Sequence, residues 1–272
     1  MDFGVNLRAP IRVLIHGVSG RMGLEVLSAL AQTNWVEPVG GIRGNNSSGK
    51  FVIPNSSDSI PLFPTVDSAI RETSPDVMVD FTNADASMDA AGQALTSGVN
   101  LVIGTTGLSE NHLDWLNSKS IEQGLGVIVA PNFALGAVLL IHLARLVSKH
   151  FDHAEIIEAH HDGKIDSPSG TSIAIAEALT SNRPTEFVRP QPERENLPES
   201  RGADYRGVSI HSMRLPGKLA QHELTLGAGG QTFSLKHDTV SRECYRPGIL
   251  SAVSRVMEVN GLMLGLDKVL EL

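Results

Sequence analysis

The stretch Glu158-Ala159-His160-His161-Asp162-Gly163-Lys164-Ile165-Asp166-Ser167-Pro168-Ser169-Gly170-Thr171 gathers more chemistry than any other part of the chain. It opens as a buried strand and closes on a helix start. Ser167 suits an N-cap and Pro168 the first helical position, because a serine hydroxyl accepts an orphan N–H and proline has none to lose. The N–H groups of Ser169, Gly170 and Thr171 would then face an anion with the helix dipole behind them. His160, His161 and Lys164 add positive charge and proton donors just upstream. Together they suit a small substrate carrying carboxylates. A metal site is the competing use of the histidines. Adjacent residues such as His160 and His161 point apart, and no H-E-x-x-H pattern occurs, although His153, His211, His222 and His237 lie on separate strand candidates that could converge. The expectation is no metal. A basic surface loop that merely caps a helix is the blander reading. Serine-hydrolase chemistry lacks its G-x-S-x-G elbow.

A second feature lies near the N-terminus, where Ile11–His16 runs into Gly17-Val18-Ser19-Gly20-Arg21-Met22-Gly23. Strand, glycine turn and helix in that order let backbone N–H groups approach a pyrophosphate at a helix N-terminus. Ser19 stands where a second glycine is often found. A tight turn with close helix packing would also select these glycines; their place at the first βα turn favours nucleotide binding. At the end of the next strand, a carboxylate would accept from a ribose 2′-OH, whereas an arginine pairs with a 2′-phosphate. Ile42 is followed by Arg43, and Glu37 sits at the opposite end of that strand. The expected cofactor is NADPH or NADH, with Arg43 favouring NADPH. Gly104-Thr105-Thr106-Gly107 and Ala130-Pro131-Asn132-Phe133 follow two further strands, at the carboxyl edge where open α/β sheets bind ligands.

The elements that must hold these groups alternate in the first half of the chain. Strands are predicted at Ile11–His16, Val36–Ile42, Asp76–Phe81, Asn100–Ile103 and Leu125–Ala130, with helices near Arg21–Gln32, Ala84–Ser97 and Ser109–Gln123. That alternation means a parallel sheet covered on both faces. Gly44–Pro64, rich in Ser, Asn, Gly and Pro, reads as loop. After Pro131 the pattern changes to a helix Leu135–Lys149, a strand Ala154–Ala159 and a helix ending at Ser181. A charged, proline-bearing excursion Arg183–Arg206 leads to three alternating runs, Val208–Arg214, Ala220–Leu226 and Gln231–His237, and a last helix Gly248–Asn260. The expected architecture is α/β: a Rossmann-like parallel-sheet domain, residues 1–131 completed by 244–272, plus a smaller α+β domain, 132–243, with a mixed, mostly antiparallel sheet.

Composition narrows the class. The 272 residues are 41% hydrophobic with a net charge of −8, enough apolar material for a core and the wrong sign for nucleic-acid or anionic-membrane binding. The single Cys244 excludes an internal disulfide framework and fits a reducing compartment such as cytoplasm. Ala137–Val147, the longest apolar stretch, is far below the ~20 residues of a membrane span, and Met1–Pro10 does not read as a signal peptide.

The sequence resembles the dihydrodipicolinate reductase family, also called 4-hydroxy-tetrahydrodipicolinate reductases, in Glu158–Thr171, Gly17–Gly23 (GVSGRMG), Val102–Gly107 (VIGTTG) and Pro131–Phe133. Arg201-Gly202, Gly207–Arg214, Gly217, His222-Glu223, His237 and Ser241-Arg242 also look like the family. The resemblance implies reduction of a cyclic imine dicarboxylate by NADPH or NADH in diaminopimelate and lysine biosynthesis. On matching positions it implies His160 as acid/base, Lys164 as proton donor, and His161, Gly170 and Thr171 as substrate ligands. Gly17, Val18, Ser19, Gly20, Arg21, Met22, Arg43, Gly104, Thr105, Thr106, Ala130, Pro131, Asn132 and Phe133 would line the cofactor. It further implies a homotetramer formed through the second sheet, and lobes that close over bound ligands. Ser19, and Arg43 where some members carry an acid, depart from the family pattern. A dehydrogenase of an amino or hydroxy dicarboxylate, and a non-enzymatic nucleotide sensor, are the alternatives.

Overall fold

Runs of β-branched residues broken by Gly, Asn and Asp set the order of elements in the computed structural model, which describes residues 9–44 and 48–272. Residues 1–8, most of the segment read as lacking a signal peptide, and 45–47, inside the stretch read as loop, lie outside the described residues. In chain order the elements are β1 Ile11–His16, α1 Arg21–Ala31, β2 Val36–Ile42, β3 Gly49–Val52, β4 Ser59–Phe63, α2 Val66–Thr73, β5 Val77–Asp80, α3 Ala84–Thr96, β6 Asn100–Ile103, α4 Glu110–Gln123 and β7 Gly126–Val129. There follow α5 Leu135–Val147, β8 His153–His160, α6 Gly170–Thr180, β9 Ala203–Tyr205, β10 Val208–Arg214, β11 Ala220–Ala228, β12 Gln231–Thr239, α7 Arg246–Val256, β13 Gly261–Leu264 and α8 Leu266–Val269. Contacts divide the chain into two compact units, residues 1–134 with 245–272, and residues 135–244. No helix among the described residues is long and apolar enough to cross a membrane.

The first unit is an eight-stranded sheet in the order β13-β7-β6-β5-β1-β2-β4-β3. All its pairings are parallel except β3 with β4. The strands β5 and β7 are buried at every residue, as a sheet covered on both faces requires. On one face Leu14, Met78, Leu101 and Ile103 pack with Leu95 and Leu116 of the helices. Each such fully buried side chain contributes about 1.5–3 kcal/mol.

Three parts of this unit differ from the expectation. The segment 44–64 is not simply loop: β4 joins β2 through Gly41–Leu62 and Ile42–Phe63, and β3 pairs back on it. Buried Ile60, Leu62 and Phe63 hold β4 in place, while Pro61 and the polar surroundings hide the strand from pattern reading. The last helix ends at Val256 rather than Asn260, and the next residues make β13, which adds to the sheet edge beside β7. The helix α2 lies outside the predicted elements; Thr65 caps it by accepting from the Ser68 N–H.

The second unit is a five-stranded sheet in the order β12-β11-β8-β10-β9. Only β8 with β10 is parallel; the other pairings are antiparallel. The helices α5 and α6 cover one face, where Leu140, Ile175 and Leu179 pack on Ile156, Ile210, Leu224 and Leu226. Ile157 and Met213, on the opposite face, are exposed. The excursion 183–206 is fastened near its start. The Arg183 guanidinium donates to the Ser148 and Phe151 carbonyls and sits 3.9 Å over the ring of Phe187, a cation–π contact. Arg189 then reaches Ser209 Oγ at 3.0 Å and the Gly202 carbonyl at 2.8 Å.

The first βα turn depends on missing side chains. A Cβ on Gly17, whose φ is +84°, would lie 2.8 Å from the Phe81 carbonyl, and one on Gly23 would lie 2.1 Å from the Gly17 carbonyl. The latter contact has no flexible partner to give way. Gly23→Ala is therefore expected to destabilise the protein by about 1–3 kcal/mol and lower its melting temperature by roughly 2–12 °C in thermal unfolding; an unchanged transition would show that the turn relaxes freely.

Candidate active site

Two groups of residues, one in each unit, stand where chemistry is possible. In the first unit the turn 17–20 delivers the chain into α1. Gly20 is the N-cap and no side chain caps the helix, so the N–H groups of Arg21, Met22 and Gly23 have no helical acceptor and suit an anion. The N–H groups of Gly17 and Val18 are engaged, both donating to the Ile42 carbonyl at 2.9 and 3.1 Å. The Val18 side chain is core, lying where a Cβ on Gly41 would strike it at 2.7 Å. Ser19 and Arg21 are exposed, and half-buried Arg43 leaves the end of β2.

At the neighbouring strand ends a buried carboxylate organises the edge. Asp80, 1% exposed, accepts from Thr105 Oγ1 at 2.6 Å and Thr82 Oγ1 at 2.8 Å, and lies 2.7 Å from His16 Nδ1. Burial alone would raise its pKa; hydrogen bonds from His16, Thr105 and Ser87 more than offset that and hold it below the usual carboxylate range. The Thr105 hydroxyl also accepts from the Thr82 N–H at 2.9 Å, so its one donor and one of its two lone pairs are used inside the protein. Thr106 is exposed, and a Cβ on Gly104 would fall 2.0 Å from the Phe81 ring. Ala130 is buried and Pro131 exposed. Asn132 Oδ1 accepts from the Ala134 N–H at 2.9 Å, a bond that engages the oxygen and not the amide N–H₂ donors. Phe133 is buried, its ring 5.4 Å from that of Phe81.

In the second unit Glu158 and His160 stand two apart on β8 and therefore share the helix-covered face. His160 Nδ1 contacts Glu158 Oε2 directly. Glu158 Oε1 accepts from Arg214 at 2.9 Å and from the Ser169 N–H at 3.3 Å. The Glu158 side chain is fully buried. Burial would raise its pKa, but hydrogen bonds from His160, Arg214 and Ser212 prevail and bring it down to about 2. Arg214 also donates to the Asp166 carbonyl at 2.7 Å, tying the loop after β8 to the same carboxylate. Lys164 is partly buried, its Nζ 2.6 Å from Asp166 Oδ1, which that ammonium holds below the usual carboxylate range. His161 is half-buried beside it.

The start of α6 differs from the expectation. Ser169, not Ser167, is the N-cap: its hydroxyl accepts from the Ser172 N–H at 3.2 Å. Pro168 precedes the helix instead of opening it, and the Ser169 N–H, expected to be free for an anion, is bound by Glu158. Gly170 and Thr171 take the first two helical positions, whose N–H groups have no intrahelical acceptor. The Ser169 hydroxyl also meets His222 Nε2 at 3.1 Å, and the rings of His222 and His160 lie edge to face at 5.3 Å. Burial, and then the field of His160, push the His222 pKa down to about 4.

One ligand atom from each of Glu158, His160 and His222 lies within 4.8 Å of the others, the one candidate metal group among the described residues. The Arg214 guanidinium lies 2.9 Å from Glu158 and gives that carboxylate a cation, while His222 is linked to it through Ser169, whose hydroxyl meets His222 and whose N–H donates to Glu158. Sequence reasoning gave Glu158 and Arg214 no role and His222 none beyond a place among the histidines that could converge; of those, His222 is the one whose ring meets His160. The two-residue alternation from Glu158 to His160 was the available signal for Glu158. The other two arrive through strand register, Arg214 opposite His160 on β10 and His222 opposite Glu158 on β11.

Family models described as dihydrodipicolinate reductase, N-terminus and C-terminus, match residues 11–133 and 136–270. A 4-hydroxy-tetrahydrodipicolinate reductase of Dehalococcoides mccartyi is 46% identical over 263 residues, covering 97% of this chain and 99% of its own. One of Bacillus subtilis is 37% identical, covering 96% and 98%. A solved structure of dipicolinate-bound dihydrodipicolinate reductase from Paenisporosarcina sp. TG-14 superposes with a TM-score of 0.86 at 36% identity, over 95% of this chain and 99% of that one. An amine dehydrogenase of Mycobacterium smegmatis, at 13% identity and a TM-score of 0.63, shares the fold.

The depressed His222 pKa has a stability consequence. The folded protein keeps this imidazole neutral down to about pH 4, while an unfolded chain protonates it below about 6.5. Its contribution to stability is therefore complete above pH 6.5 and is lost as the pH falls towards 4. His222→Gln should flatten the decline of the urea midpoint across that window, and an unchanged slope would contradict the assignment.

Proposed function

Since the chain belongs to the dihydrodipicolinate reductase family, we propose that it reduces the cyclic imine dicarboxylate derived from 4-hydroxy-tetrahydrodipicolinate to tetrahydrodipicolinate, using NADPH in preference to NADH. The observation that carries this reading is the segment 158–171. It brings a buried carboxylate–imidazole pair, a lysine ammonium and an open helix N-terminus together in one short segment.

The residues of the first unit fit a dinucleotide. The uncapped N-terminus of α1 suits a pyrophosphate, Arg43 a 2′-phosphate, and the Asn132 amide a carboxamide. When bound, the reduced nicotinamide supplies the hydride. The remaining work falls to the second unit. The N–H groups of Gly170 and Thr171, with the Thr171 hydroxyl, hold one substrate carboxylate against the α6 dipole, and His161 adds a further polar contact. Hydride addition leaves negative charge conjugated to the ring nitrogen. Lys164 neutralises that charge and donates the proton that completes the reduction, and His160 serves as the neighbouring acid/base. The present partner of Lys164 is no obstacle, because Asp166 is half-exposed and such pairs contribute only about 0–1 kcal/mol.

A coupled assay on the condensation product of pyruvate and aspartate semialdehyde, with each reduced nicotinamide in turn, tests the reading. Turnover of malate or aspartate with none of the imine would contradict it. Lys164→Ala should lower kcat by about 10²–10⁴-fold while the dissociation constant for NADPH stays within about twofold; equal loss of both would remove Lys164 from the chemistry. Arg43→Ala should cut kcat/KM for NADPH by about 10–100-fold, the worth of a charge-assisted hydrogen bond, and leave that for NADH nearly unchanged. Parallel losses would show that Arg43 does not read the 2′-phosphate.

A further inference from the structure

Glu158 is fully buried on β8, so it cannot itself touch a substrate. Both of its oxygens are nevertheless committed to groups that face one. Oε2 takes His160 Nδ1, and Oε1 takes the N–H of Ser169, the residue that caps α6, together with Arg214. An ionised carboxylate only accepts, so the hydrogen on this imidazole must reside on Nδ1 and the lone pair of neutral His160 on Nε2. A single rigid group thus decides which ring nitrogen of His160 is open and where the first turn of α6 begins.

We propose that Glu158 is a positioning residue for the reduction: it selects the His160 tautomer whose Nε2 exchanges a proton, and it places that nitrogen relative to the carboxylate-binding turn of α6. The proposal rests on the reading of His160 as the acid/base. The charged and titratable groups packed about the imidazole come from neighbouring strands: Glu158 on the same strand, Arg214 opposite it on β10, and His222 against it on β11 with His237 of β12 opposite His222; Lys164 follows four residues on along the loop. Of these, Glu158 is the one in contact with Nδ1. His222 stays neutral down to about pH 4 and adds no charge at working pH. Arg214 keeps the carboxylate ionised and holds the loop at Asp166, so that side of the arrangement does not titrate with the imidazole.

The test uses the full-length protein and begins with the wild type. Long-range ¹⁵N–¹H correlation spectra of the histidine-labelled chain are expected to show neutral His160 with hydrogen on Nδ1 and a bare Nε2. The opposite tautomer overturns the proposal without recourse to any variant. Kinetics of Glu158→Gln, His160→Gln and the double variant then separate positioning from structure. Glu158→Gln should lower kcat by about 10–100-fold, less than the about 10²–10⁴-fold that a general acid or base supplies outright. In that variant part of the neutral His160 should carry its hydrogen on Nε2 instead of Nδ1, while the double variant is no slower than His160→Gln alone. Losses that multiply in the double variant would mean that Glu158 acts elsewhere and would overturn the proposal. A His160→Gln protein that keeps its kcat within a few-fold, beside the expected tautomer, would instead sink the acid/base reading of His160, and the positioning role would fall with it.

Discussion

A carboxylate buried without solvent survives only if every lone pair that matters is answered, and in this protein that constraint falls on Glu158. Leaving a buried ion uncompensated costs several kcal/mol, so the residues that satisfy it cannot drift independently. His160 shares its strand, Arg214 comes from β10, and the Ser169 N–H comes from the cap of α6. The ion is therefore a point at which three elements of the second unit are held to one geometry. The open Gly170 and Thr171 N–H groups, and the Lys164 ammonium in its pair with Asp166, are displayed from elements thus anchored.

Sheet topology makes that convergence possible. Between β11 and β10, β8 is the central strand of five, parallel to one neighbour and antiparallel to the other. That arrangement places the C-terminal ends of β8 and β10 side by side, bringing Arg214 opposite His160, while the antiparallel β11 brings His222 opposite Glu158. The first unit solves a comparable problem at the carboxyl ends of its parallel strands, where buried Asp80 draws His16, Thr82 and Thr105 together. In both units an acid withdrawn from solvent stiffens the edge that presents backbone donors. The open donors themselves lie at helix starts, α1 and α6, where no intrahelical acceptor exists.

Much of this was legible in the residues. The strands Ile11–His16, Val36–Ile42, Asn100–Ile103 and Val208–Arg214 have the bounds that their apolar runs announce. The strand β4 escaped because Pro61 and its polar neighbours mimic a loop, and because its pairing with β2 rests on two residues. Four-residue β13 is too short for alternation to declare itself. At the site, the Ser-Pro-Ser sequence offers two caps, and local rules favour Ser167 with Pro168 at the first helical position. The choice of Ser169 follows from Glu158, eleven residues back, claiming its N–H. Arg214 and His222 were likewise beyond local pattern, since they reach β8 through register with partners 54 and 64 positions away in the chain. Patterning declares which residues a strand buries; it does not declare which distant partner will neutralise a buried charge.

Glu158 remains an anion in the folded protein and so dictates the hydrogen positions around it. A ¹³C titration of its side-chain carboxyl, in selectively labelled full-length protein, reads that state directly. The account predicts a carboxylate signal that persists as the pH is lowered and gives way only near pH 2 or at acid unfolding. A carboxyl that takes up its proton at 4.5 or above while the protein is still folded would contradict it.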